Sequence, residues 1–155
     1  MRPQRLFLDT NVFIIGSVMP DSPEASILEW LGFFNRRKSS PVVIVSDVLI
    51  EQILRVGRRV GGKDYSGELI VRLWQNLSVD HVTLKDEALH RLNQTGAIPR
   101  EDVAIFLTAV VGRAECFVSA NYKLIKALAA IERVFECLTP TEFVTQYIAG
   151  STAFD

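Results

Sequence analysis

The sequence predicts an α/β protein, a three-layer α/β/α sandwich around a mainly parallel sheet of about five strands. Three observations predict it. Short apolar runs alternate along the chain with amphipathic helical segments, the pattern of a parallel sheet covered by helices on both faces. Those runs are continuous in apolar character, as strands buried on both faces must be. And three of them stop abruptly in polar residues: Leu6-Phe7-Leu8 at Asp9, Val42–Val45 at Ser46-Asp47, and Cys116–Val118 at Ser119-Ala120-Asn121. Open parallel sheets bind their ligands at the carboxyl ends of the strands. Polar groups delivered to that edge therefore point to an active site, and the carboxylates among them point to a metal.

In chain order, strands are expected at Arg5–Leu8, Val42–Val45, Val79–Thr83, Cys116–Val118 and Val134–Glu136. The third is short and fairly polar. Helical patterns lie at Pro23–Arg37, Asp47–Val60, Tyr65–Leu77, Lys85–Gln94, Glu101–Gly112, Tyr122–Ala130 and Thr141–Ala149. Val60-Gly61-Gly62-Lys63-Asp64 reads as the flexible connection between two of them. No repeat, low-complexity tract or Pro/Gly/Ser-rich linker divides the chain, so residues 1–155 are expected to form one domain.

With 48% hydrophobic residues the chain has material for a core, and its net charge of −1 supplies no overall field toward nucleic acid or membrane. Any nucleic-acid contact must come from a local basic patch. The two cysteines, Cys116 and Cys137, sit in apolar strand-like runs and read as small buried hydrophobes. With only His81 and His90 elsewhere, they do not make a zinc site. Asp9 interrupts the first apolar run before it reaches signal-peptide length. The longest apolar span, Val103 to Gly112, falls far short of the ~20 residues that cross a bilayer. A cytoplasmic protein is expected.

The site candidates each carry a bland reading beside the chemical one. Asp9 is a strand-end carboxylate or a helix cap, and Asn11 can hold the same loop in shape. Ser46 and Asp47 are well placed to start a helix. Glu51, among Leu49, Ile50, Ile53 and Leu54, must reach solvent, pair with Arg55, or face a cation. Positions 47, 51, 55 and 58 share a helical face, acidic near the sheet edge and basic beyond it. Glu101 and Asp102 open the apolar helical run that begins at Val103, and spacing alone does not choose between them. Ser119 or Asn121 caps the next helix, or orients a metal-bound water.

Taken together, Asp9-Thr10-Asn11, Glu51 inside the helix after the second strand, Asp102 in Asp102-Val103-Ala104-Ile105, and Ser119-Ala120-Asn121 resemble the ordered motifs of a PIN domain, from residue 5 to about residue 145. The resemblance implies a parallel sheet flanked by helices and a Mg²⁺- or Mn²⁺-dependent ribonuclease. It favours Asp102 over Glu101. Many members are VapC-like toxins of toxin–antitoxin pairs, commonly homodimers, so an antitoxin partner and an RNA substrate are expected. It implies Asp9, Glu51, Asp102 and Asn121 as the catalytic set. Asp9, Asp102 and Glu51 would hold metal, with Asn11 and Ser119 supporting them. One departure stands out: where the family commonly has a last aspartate, this chain has Asn121, leaving three carboxylates. Arg55, Arg58, Arg59 and Lys63, on or just beyond the Glu51 helix, are the expected RNA contacts. Arg36-Arg37-Lys38 read as complementing a helix end.

Two other readings compete. A catalytically degenerate protein would bind RNA or a partner without cutting, with Trp30 or Phe33 offering an aromatic groove. A haloacid-dehalogenase-type phosphatase also begins with a strand ending in aspartate, but needs an acid/base aspartate where this chain has Asn11.

Overall fold

The computed structural model describes residues 2–131 and 134–149. Its centre is a five-stranded, all-parallel sheet: β1 (Arg5–Leu8), β2 (Val42–Val45), β3 (Ser78–His81), β4 (Cys116–Val118) and β5 (Glu136–Leu138), in the order β3-β2-β1-β4-β5. Leu6 pairs with Val43 on one side and Cys116 on the other. Leu6, Phe7, Leu8, Val43, Ile44, Val45, Phe117 and Val118 are wholly buried, so the sheet interior is the core. The apolar residues supply the dominant favourable term, roughly 1.5–3 kcal/mol for each large side chain taken from water.

Among the described residues eight helices flank the sheet: α1 (Thr10–Val18), α2 (Pro23–Leu31), α3 (Asp47–Gly61), α4 (Lys63–Asn76), α5 (Asp86–Thr95), α6 (Val103–Val111), α7 (Tyr122–Ala129) and α8 (Pro140–Phe143). From β1 the chain winds outward to β2 and β3 on one side. It later returns to lay β4 and β5 on the other. β1 and β4 thus flank the point where strand order reverses, the place where open sheets form their binding crevice.

Several expectations need correction. Helix α1 has no counterpart in the sequence reading. Its residues, TNVFIIGSV, are apolar on nearly every side, with Thr10, Val12, Phe13, Ile14 and Gly16 buried, so no amphipathic stripe marks it. The helix expected over Pro23–Arg37 ends at Leu31, because Gly32 adopts a left-handed backbone (φ 90°) and closes it. Arg36-Arg37-Lys38 therefore lie beyond the helix end. Arg37 Nε still donates to the Glu29 carbonyl at 3.1 Å, serving the last turn of α2 from outside. The expected five-residue connection shrinks to Gly62 alone, whose φ of 93° turns α3 directly into α4.

Strand β5 lies two residues later than expected, since Val134 is exposed while Phe135 packs on Phe106 and Phe117. β3 spans Ser78–His81, and as an edge strand it tolerates its polar residues. The expected helix Glu101–Gly112 is a 3₁₀ turn, Arg100–Asp102, leading into α6. The last helical pattern divides into α8 and a π-helical stretch, Val144–Ala149. Phe33 is fully buried between Phe13 and Phe34, so it offers no groove; Trp30 is half-buried with its edge against Phe143. Among the described residues no helix is long and apolar enough to cross a membrane.

Candidate active site

Backbone bonds first bring the strand ends together. The Asp9 amide donates to the Val118 carbonyl at 2.9 Å, and the Ser119 amide to Leu138 at 3.2 Å. These carry the sheet's pairing one residue past β1 and β4, so Asp9 and Ser119 emerge side by side at the carboxyl edge.

The Asp9 carboxylate is buried, with 8% of its surface exposed, and meets three donors. The Thr10 amide reaches Oδ1 at 2.8 Å, which makes Asp9 the N-cap of α1 as well as a site residue. The Ser119 hydroxyl reaches Oδ2 at 2.8 Å, and Asn11 Nδ2 approaches the same oxygen at 3.4 Å. Ser119 Oγ in turn accepts from Asn11 Nδ2 at 3.2 Å and from the Asn121 amide at 3.0 Å. Asn11 Oδ1 accepts from the Ala120 amide at 2.9 Å. Asn11 therefore bridges the two strand ends, with no proton to exchange, and the acid/base role a phosphatase would need there is missing.

Burial pushes the Asp9 carboxyl above the usual range, opposed by the bonds from Ser119 and Thr10. Asp102 is half-buried and is also pushed up, first by desolvation, then by the negative charges of Asp9 and Glu101. It sits at the N-cap of α6 without making a capping bond. Among the described residues no donor satisfies its carboxylate. Asp102 thus feels the charge of Asp9 while both carboxylates are partly withdrawn from water, the condition a cation relieves.

The remaining candidates stand elsewhere. Glu101 is exposed. Asn121 Oδ1 accepts from the Leu124 amide at 3.1 Å and caps α7, which settles which of Ser119 and Asn121 is the cap. Asp47 pairs with His81 at 2.7 Å. Glu51 is exposed and, among the described residues, has neither a hydrogen-bond nor an ion-pair partner, Arg55 included. Arg55, Arg58, Arg59 and Lys63 are likewise exposed. Among the described residues no three His, Cys, Asp or Glu side chains group closely enough to hold a metal by themselves.

The residue that does reach the site from α3 is the next one. Gln52 Oε1 accepts from the Thr10 hydroxyl at 2.9 Å, directly beside Asp9. Nothing in the sequence singles out Gln52, a neutral side chain next to the glutamate at 51. One helical step is about 100°, enough to turn one side chain inward and the other to solvent.

An oxygen-only donor set with two carboxylates suits a hard divalent cation, since Mg²⁺ commonly takes one or two carboxylates and fills its sphere with water and phosphate oxygens. Asp9 and Asp102 meet that requirement.

No family model matches the chain, and no curated protein matches it by sequence. Solved structures do. One is VapBC2 from Rickettsia felis bound to a DNA fragment from their promoter: 16% identity, TM-score 0.57, over 87% of this chain and 98% of that one. Another is VapBC-1 from nontypeable Haemophilus influenzae: 14% identity, TM-score 0.57, over 88% and 98%. At such identities the likeness is one of fold: the chain shares the fold of the matched chains in these VapBC structures.

Proposed function

We propose that this VapC-like PIN fold is a metal-dependent endoribonuclease, the toxin of a toxin–antitoxin pair, acting on RNA in the cytoplasm. One observation carries the reading. Asp9 at the carboxyl end of β1 and Asp102 at the head of α6 are both pushed above the ordinary carboxylate range, Asp102 partly by the charge of Asp9, at the edge where an α/β sheet binds its ligand.

In this reading Asp9 and Asp102 hold a Mg²⁺ or Mn²⁺ ion. When bound, that ion supplies an acidified water for attack on a phosphodiester and offsets charge on the departing oxygen. Ser119 and Asn11 hold the Asp9 carboxylate in one orientation, and Gln52 fixes Thr10 beside it. Asn121 keeps α7 in register with the site. Glu51 acts from outside, through solvent, as an outer carboxylate. Arg55, Arg58, Arg59 and Lys63 follow α3 outward from the sheet edge, Arg55 about 12 Å and Arg59 about 18 Å along the helix from Asp47. They would meet RNA phosphates on either side of the cut, giving salt-dependent binding with little sequence preference.

Both neighbouring structures are of VapBC complexes. An antitoxin partner and a homodimer follow from the same reading. The test is incubation with single-stranded RNA in Mn²⁺, in Mg²⁺ and in chelator, with and without co-expressed antitoxin candidate. Metal-requiring cleavage that the partner suppresses supports the toxin.

A second reading is favoured by Asn121 and by the outward Glu51, which leave two inner carboxylates. A degenerate protein of this kind would bind RNA or its partner without cutting. Failure of the folded protein to bind divalent metal would select it.

A further inference from the structure

We propose that the Tyr122 ring, with the Lys126 ammonium beside it, is a stacking platform for an unpaired base of a single-stranded RNA whose reacting phosphate lies at Asp9. The inference rests on the ribonuclease reading above and names how that site holds its substrate.

Tyr122 is 63% exposed, well above the 46% of Trp74, although an aromatic ring is costly to leave in water. Its place makes that exposure informative. It is the first residue of α7 and follows Asn121, whose amide is bonded to the same Ser119 hydroxyl that holds Asp9. Side chains on a helix lean toward its N-terminus. The N-terminus of α7 lies at the carboxyl end of β4, which puts Tyr122 at the same sheet edge as Asp9. The core does not use it, since α7 buries Leu124, Ile125 and Leu128 instead.

The surroundings favour a nucleic acid over a protein groove. Lys126 Nζ lies 5.8 Å from the centre of the Tyr122 ring. Lys123 and Lys126 are both exposed, and Tyr122–Ala129 contains no carboxylate. The rest of the exposed face offers only lysines and the small Ala129, with no second large apolar group for a docked helix. An aromatic face beside positive charge stacks on any base and meets its phosphate. It requires a base free of its duplex neighbours, so the ligand is single-stranded.

The test is binding of a labelled single-stranded oligoribonucleotide, and of the blunt duplex of the same sequence, in EDTA so that nothing is cut. Tyr122→Ala should weaken single-strand binding on the order of 5- to 100-fold, and Tyr122→Phe less than about two-fold, because the ring face and not the hydroxyl does the stacking. Duplex binding should be unchanged by Tyr122→Ala. Three results would overturn the proposal: parental affinity in Tyr122→Ala, equal losses for single strand and duplex, or no RNA binding by the parent. Adding Mn²⁺ separates the two claims. If the parent cuts and Tyr122→Ala binds and cuts as well, the platform fails and the nuclease stands. If the parent neither binds nor cuts, both fail.

Discussion

The Ser119 hydroxyl donates to Asp9 Oδ2 at 2.8 Å, joining residues 110 apart in the chain. That bond ties the carboxyl end of β4 to the carboxyl end of β1 and fixes one of the two carboxylates on which the proposed chemistry depends. Ser119 is wholly buried, so the bond is made away from competing water. Ser119→Ala removes the donor to Asp9 and the acceptor of Asn11 and of the Asn121 amide. A loss of roughly 1–3 kcal/mol in denaturant unfolding is expected for leaving such groups unpaired. Metal affinity should fall as well, because the lost hydrogen bond had been lowering the Asp9 pKa.

The pH dependence follows from the direction of the shifts. Asp9 and Asp102 both titrate higher in the folded protein than in the unfolded chain. The stability they contribute to the metal-free protein is therefore fully present below the unfolded carboxylate pKa and is lost as pH rises through the folded values. When ionised, the two carboxylates are a burden that a cation removes. Asp102→Asn should raise the metal-free melting temperature at pH 7, and Mn²⁺ should stabilise the parent more than the variant. Metal must displace a proton as pH falls, so affinity should drop between neutral pH and about pH 5. Affinity that stays flat over that range would contradict the assignment.

Gln52 and Glu51 make opposite predictions although they are adjacent. Gln52→Glu keeps an acceptor for the Thr10 hydroxyl and places a third carboxylate beside Asp9. Divalent binding should tighten roughly ten-fold or more, with a lower melting temperature in chelator from added repulsion. Glu51→Gln, at an exposed position, should move metal affinity far less than Asp102→Asn. Calorimetric titration with Mn²⁺ reads all three. If Glu51→Gln matched Asp102→Asn, the inner position would belong to Glu51.

Asn121→Asp tests the departure from the family pattern. The side chain caps α7 through Oδ1, and aspartate caps a helix equally well, so stability should be nearly unchanged. If missing charge at this position limits the site, metal binding and cleavage should both rise. No change in either would remove that explanation of the departure.

What was legible in the sequence follows from the physics of burial. Leu6–Leu8, Val42–Val45 and Cys116–Val118 are continuous apolar runs because parallel strands are covered on both faces, and each ends where the chain leaves the core. Asp9, Ser119 and Asn121 could be placed at one edge for that reason alone. Helix α1 was invisible, since a helix buried on nearly all sides carries no periodic signal. The rotation of α3 was invisible too: its pattern marks a helix, but whether Glu51 or Gln52 meets Thr10 depends on how it packs on α1. The three-centre bridge through Asn11 needed β1 and β4 to be neighbours, which only the folded sheet establishes.

The most direct measurement is RNA cleavage by the parent, Asp9→Asn and Asp102→Asn in Mn²⁺, in Mg²⁺ and in chelator, with each variant checked for parental secondary structure. Cleavage by the parent is expected only with metal, with a loss of at least about 100-fold in both variants, since removing one charged group from the reacting centre commonly costs that much. Cleavage that persists in both variants, or that is indifferent to chelator, would contradict it.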